Sequence, residues 1–342
     1  MKALCLTEPF KVEVLVREMP RIKEGEALVK VESVAICGSD IHAYHGLQAM
    51  YAYPRVIGHE LCGTIAEIKS KDSNLNIGDK VVVIPYVHCG QCISCRKGKI
   101  GSCEHLKVTG VHVDGGACEY LAVTEQCLIK IPAETDSVRA SLIEPMAISA
   151  HGVHNAKVKA GENVLVLGIG PIGLGAAEIA KTYGANVILA DTSENRRKFA
   201  AERFHYEHIL NPLDSDYKEQ LIKITNGDMP DTIIDTTGND KSMSATFEYL
   251  SYGGKIVFIG ITKGNITFND VIFHSRQTEL YGSRAATRFD FEYVITCMNE
   301  GKIDPKKFLT DEIDFDENIV DSFNKLMDKG PAMFKGVIHI SK

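Results

Sequence analysis

Residues 163–181, NVLVLGIGPIGLGAAEIAK, decide the fold. NVLVL reads as a short buried strand, and the stretch rich in Ala, Ile and Leu that follows reads as a helix. Between them Gly168, Gly170 and Gly173 form G-x-G-x-x-G, with Pro171 and Ile172 inside the pattern. Glycine serves three purposes there: a tight turn, close approach of backbone to a pyrophosphate, and close packing of helix on strand. The helix N-terminus then offers unpaired N–H groups and the positive end of its dipole to phosphates. Alone, such a string also arises in glycine-rich turns that bind nothing. Asp191 supplies the missing context. It lies 23 residues beyond Gly168, at the end of the next strand, VILA. A carboxylate in that place accepts hydrogen bonds from ribose hydroxyls. It also repels a 2′-phosphate, so NAD is expected over NADP. Arg196 and Arg197 follow closely, and Arg196 joins the cofactor-binding candidates.

Outward from this stretch, the alternation of strand and helix continues. A helix near residues 194–203 leads to the strands DTIID (231–235) and KIVFIG (255–260), with a helical segment between them. That alternation means a parallel sheet covered on both faces, an α/β Rossmann-type domain. Thr237, Gly238, Phe258 and Gly260 fall at the ends of its later strands, where such sheets meet their ligand. Upstream the pattern differs. EALVKVESVAI (26–36), TIAEI (64–68) and KVVVIPYV (80–87) are short β segments divided by turn residues. They point to an antiparallel, barrel-like domain. The boundary is expected near residues 147–157. Beyond Tyr281 come amphipathic helices at 289–299 and 317–327 and a last strand, GVIHI, which is expected to rejoin the first domain.

The 342 residues suit two domains. Acidic residues (45) outnumber basic ones (38), for a formal charge of −7, which argues against nucleic acid as the main partner. Ten cysteines are too few for a disulfide scaffold of this length. The first residues, MKALCLTEPFKVEVL, lack the pattern of a signal peptide. The longest uncharged stretch, 163–177, is too short to span a bilayer and holds four glycines. A cytoplasmic location is therefore expected.

Two groups of residues have the chemistry of metal sites. Cys89, Cys92, Cys95 and Cys103 give C-x2-C-x2-C-x7-C. Four thiolates so close together can enclose one tetrahedral Zn²⁺ and leave no position for substrate, so this site is structural. An iron–sulfur cluster is the alternative for four cysteines. Arg96, Lys97 and Lys99 read as a solvated face of that lobe. The second group is dispersed: Cys37, Ser39, Asp40 and His42 in CGSDIH, His59 and Glu60 in GHE, and Glu144 in LIEP. A thiolate, an imidazole and a carboxylate make a natural zinc set with a fourth position open to an oxygen ligand. Spacing alone leaves this group suggestive, since GHE can simply begin a strand.

Taken together, CGSDIH, GHE, the four-cysteine lobe and GIGPIG (168–173) resemble the zinc-dependent medium-chain dehydrogenase/reductase family along essentially the whole chain. The resemblance implies a GroES-like β-barrel catalytic domain, residues 1–148 and 287–342, carrying a catalytic and a structural zinc. It also implies an inserted Rossmann domain, residues 149–286, and assembly as a homodimer or homotetramer through the Rossmann sheet edge. The first two catalytic ligands carry over to Cys37 and His59. The alcohol dehydrogenases place cysteine at the third; Glu144 stands there, as in the polyol and threonine dehydrogenase branch. In that branch Glu60 also approaches the metal, and Glu144 is the preferred of the two. YPRVIGHELCG, VIPYVHCGQC, GVHVDGG, LIEPMAISAH, GPIGLGAAEIAK and GSRAAT are most similar to bacterial sugar-acid 5-dehydrogenases acting on L-galactonate or L-gulonate. The implied reaction is oxidation of the C5 hydroxyl of an aldonate, with NAD as acceptor. Ser39 and His42 match the family's proton relay. Arg284, in GSRAAT, is the candidate for holding the substrate carboxylate, with His112 a weaker one and Arg55 read as structural. Polyol, L-threonine and sugar-phosphate dehydrogenases are rivals within the family. A non-catalytic NAD-binding protein is the rival outside it.

Overall fold

The computed structural model describes residues 1–48, 51–70 and 73–341. The chain divides into two compact units, residues 1–144 with 304–342, and residues 145–303.

The second unit is built on a six-stranded, wholly parallel sheet. Its strands run in the order Ile209–Leu210, Asn186–Ala190, Asn163–Leu167, Thr232–Asp235, Lys255–Phe258, Glu279–Gly282. Successive residues Val164, Leu165 and Val166 are all fully buried, so both faces of the sheet are covered, as a parallel sheet requires. Leu165, Ile188, Ile233 and Ile256 pack with Leu221 and Phe247 from the connecting segments. The strand order reverses beside Asn163–Leu167, and its C-terminal end marks the crevice where such sheets take ligands. No helix among the described residues is long and apolar enough to cross a membrane.

The first unit is mainly antiparallel. One sheet runs Leu128–Lys130, Lys80–Val83, Glu60–Lys69, Glu26–Ile36, Gly336–His339, Asp311–Asp314, with Tyr120–Thr124 also paired to Glu26–Ile36. A three-stranded sheet joins Lys11–Val16, Lys2–Glu8 and Arg55–Val56. The C-terminal strand does return to this unit, with Gly336 opposite Ile36. Cys5, Cys62, Cys118, Cys127 and Cys297, outside both metal-type groups, are buried as small core residues.

The units divide at 144/145, within the helix Ile143–Ala156, and at 303/304, in place of the expected 148/149 and 286/287. The helix Arg288–Asn299 accounts for most of this difference. Its Asp290, 1% exposed, accepts hydrogen bonds from His151 Nδ1 (2.8 Å) and His154 Nδ1 (2.5 Å) of Ile143–Ala156. The same carboxylate caps its own helix by accepting from Thr287 N and Oγ1, each at 2.7 Å. Those bonds pull Asp290 well below the usual carboxylate range despite the opposing effect of burial. The helix is thereby pinned to the second unit.

Candidate metal and cofactor sites

Strand register assembles the dispersed metal group. Glu26–Ile36 ends at Cys37, which caps the short helix Gly38–Tyr44. Asp40, 2% exposed, accepts from Cys37 N at 2.9 Å and so fixes the backbone that carries the thiol. On one side of the strand Ala35 lies opposite Glu60, the first residue of Glu60–Lys69, which brings His59 and Glu60 next to Cys37. On the other side Gly336 lies opposite Ile36, which brings Lys335 to the same end. Gly58 is required before His59: its φ is +95°, and a Cβ would lie 2.5 Å from Val34 Cγ1.

The donor atoms of Cys37, His59 and Glu60 all lie within 4.8 Å of one another. Glu144 stands outside this group. Its Oε1 accepts from the hydroxyl of Tyr86, itself buried in the strand Tyr86–Val87. Glu60 Oε1 accepts from Lys335 Nζ at 2.6 Å. Glu60, His59, Glu144 and Lys335 are 1%, 6%, 5% and 3% exposed, so water compensates little of their charge.

The protonation tendencies report the same imbalance. Burial opposes a charged His59, yet the Cys37 thiol, Asp40 and Glu144 outweigh it and hold the imidazole well above its ordinary range. Burial likewise opposes a charged Lys335, and Glu60 with Cys37 pulls it upward. Burial pushes the Glu144 carboxyl up to about 7, with His59 working in the other direction. Three carboxylates and a thiol surround one lysine and one imidazole: the pocket calls for additional positive charge. His59 Nδ1 also lacks a hydrogen-bond partner among the described residues. A thiolate, an imidazole and a carboxylate at this spacing suit a divalent zinc. The residues fit the ion.

Cys89, Cys92, Cys95 and Cys103 form the second group, again with their sulfurs within 4.8 Å. None is in a disulfide. Backbone N–H groups point at the sulfurs: Cys92 N at Cys89 (3.4 Å), Cys89 N and His105 N at Cys103 (3.4 and 3.3 Å). Such donors stabilise negative sulfur, and with four thiolates the set is complete without an outside ligand.

In the second unit the glycine turn has the expected form. Gly168 has φ +89°, Gly170 caps the helix Pro171–Thr182, and Pro171 occupies its first turn. A Cβ on Gly173 would lie 1.8 Å from Gly168 O, so helix and turn touch only because it is absent. A Cβ on Gly170 would meet nothing within 4 Å except Arg196 Nη1 at 3.9 Å, which leaves room beside the helix N-terminus for a phosphate group. Asp191, 7% exposed, accepts from Ile169 N and Ser193 N, both at 2.7 Å. Its carboxylate is thus tied directly to the turn. Arg197 donates to Asp191 O at 2.6 Å, and Arg196 Nη1 lies 3.7 Å from Asp191 Oδ2. Thr237, Gly238, Phe258 and Gly260 lie at the C-terminal ends of Thr232–Asp235 and Lys255–Phe258, the end at which parallel sheets of this kind take ligands.

The remaining candidates vary in their surroundings. Ser39 Oγ, two residues beyond Cys37, is buried without a partner among the described residues. His42 is exposed in the last turn of Gly38–Tyr44. Arg284 is exposed, in the loop after Glu279–Gly282. His112 Nδ1 accepts from Val108 N at 3.0 Å, which ties it to its own turn. Arg55 pairs with Asp114 at 3.5 Å, a structural contact. Sequence reading missed Tyr86 and Lys335 altogether. Both lie in apolar stretches, VIPYV and MFKGVIHI, and a lysine directly before a buried strand was the one available signal.

Residues 23–133 match the alcohol dehydrogenase GroES-like domain, and residues 171–300 match the zinc-binding dehydrogenase domain. The chain is 43% identical over 339 residues to L-galactonate-5-dehydrogenase of Escherichia coli K12, covering 99% of this chain and 98% of that one. It is 32% identical to 2-dehydro-3-deoxy-L-galactonate 5-dehydrogenase of Pseudoalteromonas atlantica, covering 84% of each. Among solved structures, the short chain alcohol dehydrogenase RspB of Escherichia coli CFT073, complexed with the cofactor NADH, superposes with a TM-score of 0.91 at 31% identity, covering 99% of both chains.

Proposed function

The chain belongs to the zinc-type alcohol dehydrogenases of the medium-chain dehydrogenase/reductase family, and on that premise we propose that it oxidises the C5 hydroxyl of a sugar acid with NAD. The observation that carries this reading is the grouping of half-buried Cys37 with buried His59 and Glu60, and with buried Glu144 outside it. The substrate class follows from similarity to the two 5-dehydrogenases named above. L-galactonate and L-gulonate are the first candidates. The reaction takes a secondary alcohol and NAD⁺ to a ketone, NADH and a proton.

Zinc at Cys37, His59 and a carboxylate would supply the Lewis acidity that favours loss of the hydroxyl proton near neutral pH, and NAD would accept the hydride. The chain's own residues do the rest. Ser39, two residues beyond Cys37, takes the hydroxyl proton into a relay, and exposed His42 hands it to water as a general base. Arg284 offers a planar fork to the substrate carboxylate. The N–H groups at the start of Pro171–Thr182 hold the pyrophosphate, and Asp191 accepts from the ribose while turning away a 2′-phosphate. A second zinc in the four-cysteine lobe is structural. The protein works in the cytoplasm as a homodimer or homotetramer, using the edge strand Glu279–Gly282, where Leu280 is 42% exposed.

The test is a panel of aldonates, neutral polyols, L-threonine and sugar phosphates with NAD and with NADP, followed by identification of the keto product. Turnover of L-galactonate or L-gulonate with NAD is expected. Preference for a polyol or for threonine would move the protein to a neighbouring branch, and a strong preference for NADP would show that Asp191 does not turn away a 2′-phosphate and that Arg196 binds one.

A further inference from the structure

A zinc that receives a substrate oxygen must keep one of its four tetrahedral positions free of protein. This pocket nevertheless contains four side chains with suitable donors: Cys37, His59, Glu60 and Glu144. If all four bound at once, the site would be as closed as the four-cysteine lobe. Something must hold one donor back, and among the described residues only one of the four is held by a neutral side chain outside the cluster. Glu144 Oε1 accepts from the Tyr86 hydroxyl, and Glu144 is the donor that the tight grouping omits.

Tyr86 is well placed for this work. It is 6% exposed, and Tyr86–Val87 pairs antiparallel with Lys107–Val108. Pro85 O accepts from Thr109 N at 3.0 Å, which anchors the segment from the preceding residue. The backbone that carries the ring is thereby held in place on one side of Glu144. Lys335 acts differently on Glu60: it is charged, and it leaves Glu60 inside the group with Cys37 and His59.

We propose that Tyr86 is a positioning residue that keeps the fourth zinc position open by hydrogen-bonding Glu144 away from the ion. The inference rests on the proposed zinc chemistry of this pocket. It assigns the resting third ligand to Glu60 and leaves Glu144 beside the open position.

The test uses the holoenzyme with cobalt(II) exchanged for the catalytic zinc, titrated with azide as an exogenous ligand and followed through the visible d–d bands. In Tyr86→Phe, Glu144 is released and closes the site. Azide affinity should fall and metal release to dipicolinate should slow, each by about tenfold or more, the scale on which outer partners tune metal sites. The double variant Tyr86→Phe with Glu144→Gln should recover the azide response, which a merely structural role for Tyr86 would not produce. Tyr86→Phe that binds azide as the parent does, or that releases metal faster, overturns the proposal. If Tyr86→Phe does not fold, Glu144→Gln alone decides: it should retain metal and azide response, and loss of its metal overturns the assignment. Absence of metal from this group in the parent would remove the dehydrogenase reading as well, whereas an unchanged azide titration in Tyr86→Phe removes this inference alone.

Discussion

The two metal-type groups of the first unit use the same kind of donor in opposite ways. The cysteine lobe takes all four ligands from residues 89–103, joined by a short helix, Ile93–Arg96, and one 3-10 turn, Ile100–Ser102. Its backbone amides aim at its own sulfurs, and none of its four Cys residues is more than partly buried except Cys103. The other group draws on residues from 37 to 335, is almost wholly buried, and mixes sulfur, nitrogen and carboxylate. A local, uniform set makes a closed site that stabilises. A mixed set gathered from distant strands leaves surplus charge and surplus donors, which Lys335 and Tyr86 engage. Openness at such a site depends on what restrains the extra ligand.

The comparison breaks first at the lobe. Cys92→Ser should destabilise the first unit by roughly several kcal/mol, the scale of structural zinc sites, with early proteolysis within residues 89–103. KM of the fraction that remains folded should not change. If instead turnover vanished while thermal stability and protease resistance held, the lobe would be a catalytic site and the contrast would be wrong.

Glu144→Ala probes the other side. Turnover should fall by about a hundredfold, near the upper end of what residues around a metal contribute, while the melting temperature stays close to that of the parent. Undiminished kcat would remove Glu144 from the reaction. The smallest effect is expected at Arg284, which is exposed and lies in the second unit. Arg284→Ala should raise KM for aldonates by about tenfold, the worth of one charge-assisted contact, and leave KM for neutral polyols unchanged. Equal increases for both would argue against a carboxylate partner.

Much of the fold was legible because local patterns encode it. NVLVL, GIGPIG and the helix after them carry a strand, a turn that only glycine permits, and a capped helix in one run. The strand 26–36 and the helices near 289–299 and 317–327 were also readable from periodicity, and the structure places them at Glu26–Ile36, Arg288–Asn299 and Ile319–Asp328. The segment 80–87 read as one strand, but Ile84 and Pro85 divide it, because proline offers no N–H to a ladder. Assignment of residues 287–303 failed for a different reason. His151, His154 and Asp290 are polar residues with no motif between them, and only their meeting reveals that the helix belongs to the second unit.

Sequence by itself determined the kinds of atoms available: four cysteines within fifteen residues, an imidazole directly before a carboxylate at His59 and Glu60, and an acid 23 residues beyond a glycine turn. Each of these depends on residue type and short spacing, which a linear chain displays directly. Tertiary structure alone decided which carboxylate joins Cys37 and His59, and which groups restrain the two acids. Tyr86 and Lys335 reach Glu144 and Glu60 across 58 and 275 residues of chain. Their encounters are set by the pairing of Glu26–Ile36 with strands on either side and by the hydrogen bond from Tyr86 to Glu144 in the first turn of a helix, and neither leaves a periodic trace in the sequence.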